Sequence, residues 1–400
     1  MRDAVGEIVD AVRHRGDDAL LEYVRTFDAG GAALKPIRAE PAELEAAAAA
    51  LAPEVRHAIE RAIENLETVM VGWRAGLGQS VEVGVNRVVL RHAPVSRAAV
   101  YVPGGRAPYP STVVMGVVTA RAAGVREVVV CTPPPVDPAL LAACALAGVG
   151  EVYRIGGAQA IAALAYGTAT IPRVDVVAGP GNLYVQEAKR LLAGRVGIDS
   201  FAGPSDLFVL FDAADAGSVR LIALDLLAQA EHGEATAVIA AASDAALLDA
   251  LQADLEALER AHRSASSASC ALVEVPSLDS GLALVNEYAP EHLELIGPGA
   301  EALAPGVLRA GALFVGWPSA TAFGDYVAGS NHVLPTAGAA RFASGLTPAH
   351  FRRQMAEVRI TPESLPELIR AGAPIAEAEG FRLHAESMRA RVPDIDDNSR

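Results

Sequence analysis

A chain of 400 residues exceeds one ordinary hydrophobic core and requires two or more compact units. Its net charge of −15, with no basic stripe, excludes a nucleic-acid surface, and no apolar run is long and uncharged enough to span a bilayer. Hydrophobic residues make up 52% of the chain and aromatic residues only 5%, so the interior is aliphatic, as in parallel sheets covered by helices on both faces.

The first stretch, 1–27, reads as amphipathic helix through Val5, Ile8, Val9 and Val12, then Ala19, Leu20, Leu21 and Tyr23. Its acids rule out a signal or transit peptide, and a cytoplasmic location is expected. Helix also covers 41–75, and VEVGVNRVVL (Val81–Leu90) alternates like a strand or hairpin around Gly84 and Asn86. From Ala98 short apolar runs alternate with helices at βαβ spacing: AAVYVPGG, EVVVC, EVYRIGG and VDVVAGPGN. A parallel sheet with right-handed crossovers follows, and ligands are expected beyond its strand ends at Tyr101–Gly105, Gly156–Gln159 and Gly179–Asn182. After Asp199 the pattern restarts with DLFVLFD, TAVIAAAS, ALVEV, HLELIG and GALFVGW, a second α/β unit that resembles the first. From Thr347 the chain reads as helical and charged. Cys131, Cys144 and Cys270 have no pairing or ligand spacing; the first two read as small buried hydrophobes, and the usage fits a reducing compartment.

Several segments carry chemistry. In DLLAQAEHG, Gln229 and His232 lie three apart at a helix end and share one face, an arrangement that can chelate but is by itself usually a solvated face. AGPSD offers Ser205 near a strand start. GPGN, between strand and helix, suits an anion or a tight turn, and it lacks the dinucleotide glycine fingerprint. In APEHLEL, Glu291 and His292 are adjacent, a pair able to supply two general bases of different pKa. Strand neighbours point to opposite faces, so they share a site only if the backbone turns at Pro290. Asp325 and His332 lie in GDYVAGSNHVLPT, and Glu379 and His384 in EAEGFRLHAESM.

Taken together, YVPGGRAPYPSTVVM, GGAQAIAAL, AGPGNLYVQEAK, IDSFAGPSD, DLLAQAEHG, APEHLEL, GDYVAGSNHVLPT and EGFRLHAESM resemble the histidinol dehydrogenase family, in family order and along nearly the whole chain. The resemblance implies two Rossmann-like parallel-sheet units with helical N- and C-terminal extensions. It divides the chain into an N-terminal helical segment (1–27), a first α/β domain with the chemistry (28–97 and 205–345), a second on the NAD side (98–204), and a helical tail (346–400) packing on a partner subunit. It further implies oxidation of L-histidinol to L-histidine through the aldehyde, with NAD and one zinc ion per site. Gln229, His232, Asp325 and His384 would be the zinc ligands, the last reaching across a homodimer. Glu291 and His292 would be catalytic, with His292 taking the alcohol proton and Glu291 activating water. Ser205, His332 and Glu379 would join the ligands and His292 in holding substrate, and Tyr101, Gln159 and Asn182 would contact NAD. SATAF at Ser319–Phe323 and Asp206 depart from the family pattern, which leaves a paralogue acting on another amino or hydroxy alcohol as the alternative.

Overall fold

The computed structural model describes residues 1–28, 35–74, 79–104, 108–201, 203–212, 216–262 and 268–391. Gly105 and Ala202, in two of the glycine-rich turns, and the terminal DIDDNSR lie outside them. Thirteen strands are present among the described residues: β1 (Gln79–Val83), β2 (Asn86–Pro94), β3 (Arg97–Tyr101), β4 (Glu127–Thr132), β5 (Val152–Arg154), β6 (Val176–Ala178), β7 (Gly197–Ile198), β8 (Asp206–Phe211), β9 (Ala237–Ala242), β10 (Ser269–Glu274), β11 (His292–Ile296), β12 (Ala312–Val315) and β13 (Arg352–Arg359).

Two five-stranded parallel sheets dominate, ordered β5-β4-β3-β6-β7 and β10-β9-β8-β11-β12. Each has its first strand in the centre and reverses direction of growth beside it, which is the dinucleotide-fold order. The Rossmann-like expectation therefore holds for both. Alternate residues of a strand point to opposite faces. In the first sheet Ala98, Val100, Val128 and Val130 pack on one side with the helices Pro110–Ala122 and Pro138–Leu146. Ala99, Tyr101, Val129, Cys131 and Tyr153 pack on the other with the helices Gly157–Tyr166 and Leu183–Leu192. The helix Arg2–Arg15 joins that second layer through Val5, Ile8, Val9 and Val12. Burial on both faces is why these strands read as unbroken apolar runs.

The chain divides into two compact units, Met1–Arg74 with Pro94–Phe351, and Ala75–Ala93 with Arg352–Arg400. Both parallel sheets belong to the first. The second holds a three-stranded sheet ordered β1-β2-β13 and the helices Leu365–Ala378 and Arg382–Arg389. Two expectations change here. The β1–β2 hairpin, placed by sequence with the chemistry-bearing domain, groups with the C-terminal segment because β2 neighbours β13 in that sheet. Buried Asn86 adds to the join by accepting from Thr361 N–H (3.0 Å) and Ser364 Oγ (2.7 Å). The segment after Thr347 is not helical throughout, since β13 intervenes before the two helices.

Candidate active site

The helix Ala216–Ala230 ends in a turn in which His232 N–H donates to the Gln229 carbonyl (3.1 Å) and Gly233 takes φ of 138°. A side chain is strained at that φ, so glycine is the natural residue. The turn delivers Gln229 and His232 to the amino end of β9. Ser205 and Asp206 stand at the amino end of β8. Ala289 caps the preceding helix, Leu278–Tyr288, in the left-handed conformation (φ 55°), and Pro290 then turns the chain into β11. That turn lets Glu291 and His292 reach the same neighbour despite being adjacent.

The neighbour is Asp206. Its N–H donates to Glu291 Oε2 (3.1 Å), its Oδ1 accepts from Glu291 N–H (2.8 Å), and its carbonyl faces His292 Nδ1 (3.1 Å). A carbonyl only accepts, so Nδ1 carries the hydrogen and neutral His292 presents a bare Nε2. Ser205 Oγ donates to Glu291 Oε2 at 2.5 Å, and Gln229 Nε2 donates to Ser205 Oγ at 2.5 Å. His332 Nδ1 donates to the Asp325 carbonyl (2.9 Å), and its Nε2 lies 3.3 Å from Thr112 Oγ1. Glu291 and His292 are both buried, with 6% and 2% of their surface exposed, so neither is a solvated surface group.

The electrostatics set these groups apart. Burial pushes the Glu291 carboxyl up to about 7, against the opposing pull of His292 and Ser205. Burial acts to lower His292, but Asp325 and Glu291 outweigh it and raise the imidazole to about 9. Asp325 is pushed up by burial and pulled down further by His292, His332 and His232, ending below the usual carboxylate range. The cavity walls desolvate His232 and His332 and lower both. His292 Nε2 lies 3.7 Å from Asp325 Oδ1, too far for a hydrogen bond, and it has no hydrogen-bond partner although buried. An orphaned buried nitrogen is costly and marks a position that awaits a ligand or a proton.

These groups line a cavity of about 580 Å³. Ser205, His232, Glu291, His292, Asp325 and His332 come from the second sheet's side, facing Pro103, Gly104, Pro180, Gly181 and Asn182 from the carboxyl ends of the first. Ser205, His232, Glu291 and His292 thus stand at the amino ends of β8, β9 and β11, the opposite end from the one the carboxyl-end rule gives for the first sheet.

Tyr101, Gln159 and Asn182 line an adjoining cavity of about 460 Å³. Tyr101 Oη accepts from Gly157 N–H (3.1 Å). Asn182 caps the helix Leu183–Leu192, its Oδ1 accepting from Tyr184 and Val185 N–H (3.0 and 3.1 Å). Glu379 and His384 are exposed on the other compact unit, where they border a hollow of about 510 Å³ with Ile375, Met388 and Arg391. Among the described residues no three His, Cys, Asp or Glu side chains converge as a metal site. Sequence reasoning assigned no role to Asp206, Thr112 or Asp28; only the adjacency of Asp206 to Ser205 in AGPSD was available as a signal.

Fold and site together define an α/β oxidoreductase, with dinucleotide-fold sheets and a buried carboxyl–imidazole pair in the cleft between them. A family model described as histidinol dehydrogenase matches residues 1–392. The chain is 44% identical to a histidinol dehydrogenase of Synechococcus sp. over 98% of its length and 92% of the relative's. It is 42% identical to one of Aromatoleum aromaticum, over 98% and 91%. A solved histidinol dehydrogenase from Elizabethkingia anophelis matches with a TM-score of 0.91 at 32% identity, covering 98% of this chain and 92% of that one. An acetylating aldehyde dehydrogenase from Geobacillus thermoglucosidasius, TM-score 0.51 and 13% identity over 90% of this chain and 99% of its own, shares the fold alone. The chain belongs to the histidinol dehydrogenase family.

Proposed function

We propose that the protein carries out the NAD- and zinc-dependent four-electron oxidation of L-histidinol to L-histidine through L-histidinaldehyde. As a member of its family it is an oxidoreductase acting on histidinol, in histidine biosynthesis. The observation that carries the finer reading is the buried Glu291–His292 pair, with Nε2 of His292 unpartnered beside Asp325.

In the first half-reaction His292 Nε2 takes the hydroxyl proton of the alcohol; with the imidazole raised to about 9 that nitrogen must first shed its own proton, and Nδ1–H stays against the Asp206 carbonyl so that the freed nitrogen faces substrate. In the second, Glu291 takes a proton from the water that adds to the aldehyde carbon, its carboxyl lifted by burial to about 7 and therefore poised for transfer near neutrality. Ser205 and the Asp206 N–H hold that carboxylate in place. The balance is alcohol, water and two NAD giving carboxylate, two NADH and three protons. NAD, when bound, accepts the two electron pairs from substrate carbon. Keeping both steps in one cavity holds the aldehyde between them.

The donor chemistry of Gln229, His232 and Asp325 fits zinc: an amide oxygen, an imidazole held neutral by desolvation, and a carboxylate held ionised. Gln229 spends its Nε2 hydrogen on Ser205, which leaves Oε1 for a cation. The partner subunit's His384 would complete the set across a homodimer, and the ion would orient the amine and imidazole of the substrate. His332 and Glu379 would hold the substrate, and Tyr101, Gln159 and Asn182 the nucleotide. The protein is read as cytoplasmic. No helix among the described residues is long and apolar enough to cross a membrane.

The test is NADH formation by purified protein with L-histidinol, before and after exhaustive chelation. Two NADH per histidinol, lost on chelation and restored by zinc, is the expected result. Turnover only with another amino alcohol would replace the substrate, and full activity after metal removal would sink the zinc role. Mixed dimers of His384→Ala and His292→Ala should regain part of the activity; no recovery after demonstrated exchange removes the shared site.

A further inference from the structure

The 460 Å³ cavity beside the catalytic one holds a carboxylate that the proposed mechanism does not use. Asp28 ends the N-terminal helical segment, and its Oδ2 accepts from Gly156 N–H (3.0 Å) and Gln159 Nε2 (3.2 Å). The helix Gly157–Tyr166 has no side-chain cap of its own, so Asp28 caps it from far away in sequence. A helix N-terminus after a glycine turn is where a phosphate ordinarily sits. Here a carboxylate already occupies it. The second oxygen, Oδ1, receives no hydrogen bond among the described residues, and Asp28 lines the cavity.

The rest of the described wall is uncharged and includes three aromatic rings. Phe27, Tyr101 and Tyr184 contribute rings; Phe27 is stacked on Tyr23 through one face, and it and Tyr184 are exposed, which leaves ring surface for stacking. The described lining contains no Lys or Arg. Pro103, Gly104 and Asn182 border both this cavity and the catalytic one, so one elongated molecule can lie across the two.

Resting on the NAD reading above, we infer that this cavity takes the adenosine half of the dinucleotide and that Asp28 is its specificity-determining residue. Oδ1 accepts a ribose hydroxyl, a charge-assisted hydrogen bond. A ribose 2′-phosphate would bring a second anion against Asp28 with no cation among the described wall residues to offset it, and so is disfavoured.

The experiment is calorimetric titration of the full-length protein with NAD and NADP, and with 5′-AMP and adenosine 2′,5′-bisphosphate as probes of the adenosine half. Wild type, Asp28→Asn, Asp28→Ser and Gln159→Ala are compared, each first checked by melting temperature. Asn retains an oxygen for Gly156 and Ser retains a smaller one, so at least one neutral variant should keep the fold. Wild type should prefer the unphosphorylated member of each pair. The neutral variants should weaken NAD several-fold and shift the NAD/NADP ratio at least tenfold toward NADP. If Gln159→Ala weakens NAD while neither Asp28 variant moves the ratio more than twofold, Asp28 is only a helix cap and the inference falls, with the nucleotide cavity intact. If none of the three variants affects NAD binding, the nucleotide is held elsewhere and both readings fall.

Discussion

The two parallel sheets have one strand order and opposite uses. In the first, the loops that border the cavities leave the carboxyl ends of β3, β5 and β6, as the doubly wound fold leads one to expect. Their chemistry is that of close backbone packing. Gly179 adopts φ of 114°, and a Cβ there would collide with the Tyr101 carbonyl oxygen. In the second, the acid–base groups stand at the amino ends of β8, β9 and β11, where Asp206 touches both Glu291 and His292. Strand order thus decides where a crevice can open, whereas the end that carries chemistry is decided by which residues flank the strands. A repeated architecture does not carry a repeated site with it.

The contrast breaks most directly at the second sheet. His292→Ala and Glu291→Gln should each cost about 10²- to 10⁴-fold in turnover, the range for a lost general acid–base group. They should differ in kind. Supplied with histidinaldehyde, His292→Ala should recover more of its rate than Glu291→Gln, because only the aldehyde step uses Glu291. Equal deficits with alcohol and aldehyde would show that the pair does not divide the two steps.

At the first sheet the equivalent damage should appear as lost stability. Lys189 Nζ donates to the Gly179 carbonyl (2.5 Å) and Asp199 Oδ1 (2.6 Å), and Asp199 Oδ2 accepts from Gly179 N–H (2.7 Å). Both side chains are almost fully buried, and together they clamp the GPGN turn. Lys189→Ala leaves a buried carboxylate unpaired and should cost about 3–5 kcal/mol by urea denaturation. A loss under about 1 kcal/mol would mean that water or a neighbour replaces the ammonium.

Legibility in the sequence follows the range of the contacts. Strands such as Glu127–Thr132 and Asp206–Phe211 are buried on both faces, so local composition already marks them. β13, RRQMAEVR, is mostly exposed and charged, without alternation, and reads as helix until its neighbour in the sheet is known. Glu291 and His292 were recognisable as a pair, but their common partner Asp206 is 85 residues from Glu291 and invisible to any local pattern. Asp28 is hidden for the same reason, 128 residues from the glycine whose N–H it accepts. Glu379 and His384 come from family resemblance only; exposure on a charged helix gives them no physical signal of their own.

A smaller effect sharpens what lies behind the second sheet's chemistry. Glu294, two residues beyond His292 on β11, is buried, and its Oε1 accepts from Thr321 N–H (2.9 Å) and Oγ1 (2.7 Å). Asp225, on the helix that carries Gln229, is raised to about 7, first by burial and then by Glu294. Its folded pKa therefore exceeds the unfolded value of about 4. The native state holds this proton more tightly, so stability is greatest below the unfolded pKa and declines as pH rises through the folded one. Asp225→Asn should remove the decline, gaining on the order of 2 kcal/mol over wild type between about pH 4 and 7. Denaturation midpoints that stay parallel across that range would refute it.

The smallest stability effect lies where the two uses meet, at Asn182. Its Oδ1 caps the helix Leu183–Leu192, and the residue borders both the catalytic and the adjoining cavity. Removing the cap with Asn182→Ala should cost about 1 kcal/mol. Asn182→Asp keeps the accepting oxygen and adds a charge that the helix N-terminus favours, so stability should stay within about 0.5 kcal/mol. The same substitution deletes the amide donor and sets a negative charge where a dinucleotide would cross between cavities. KM for NAD should rise several-fold while the melting temperature holds. An unchanged KM would make Asn182 a cap alone and reduce the carboxyl edge of the first sheet, at this strand end, to architecture.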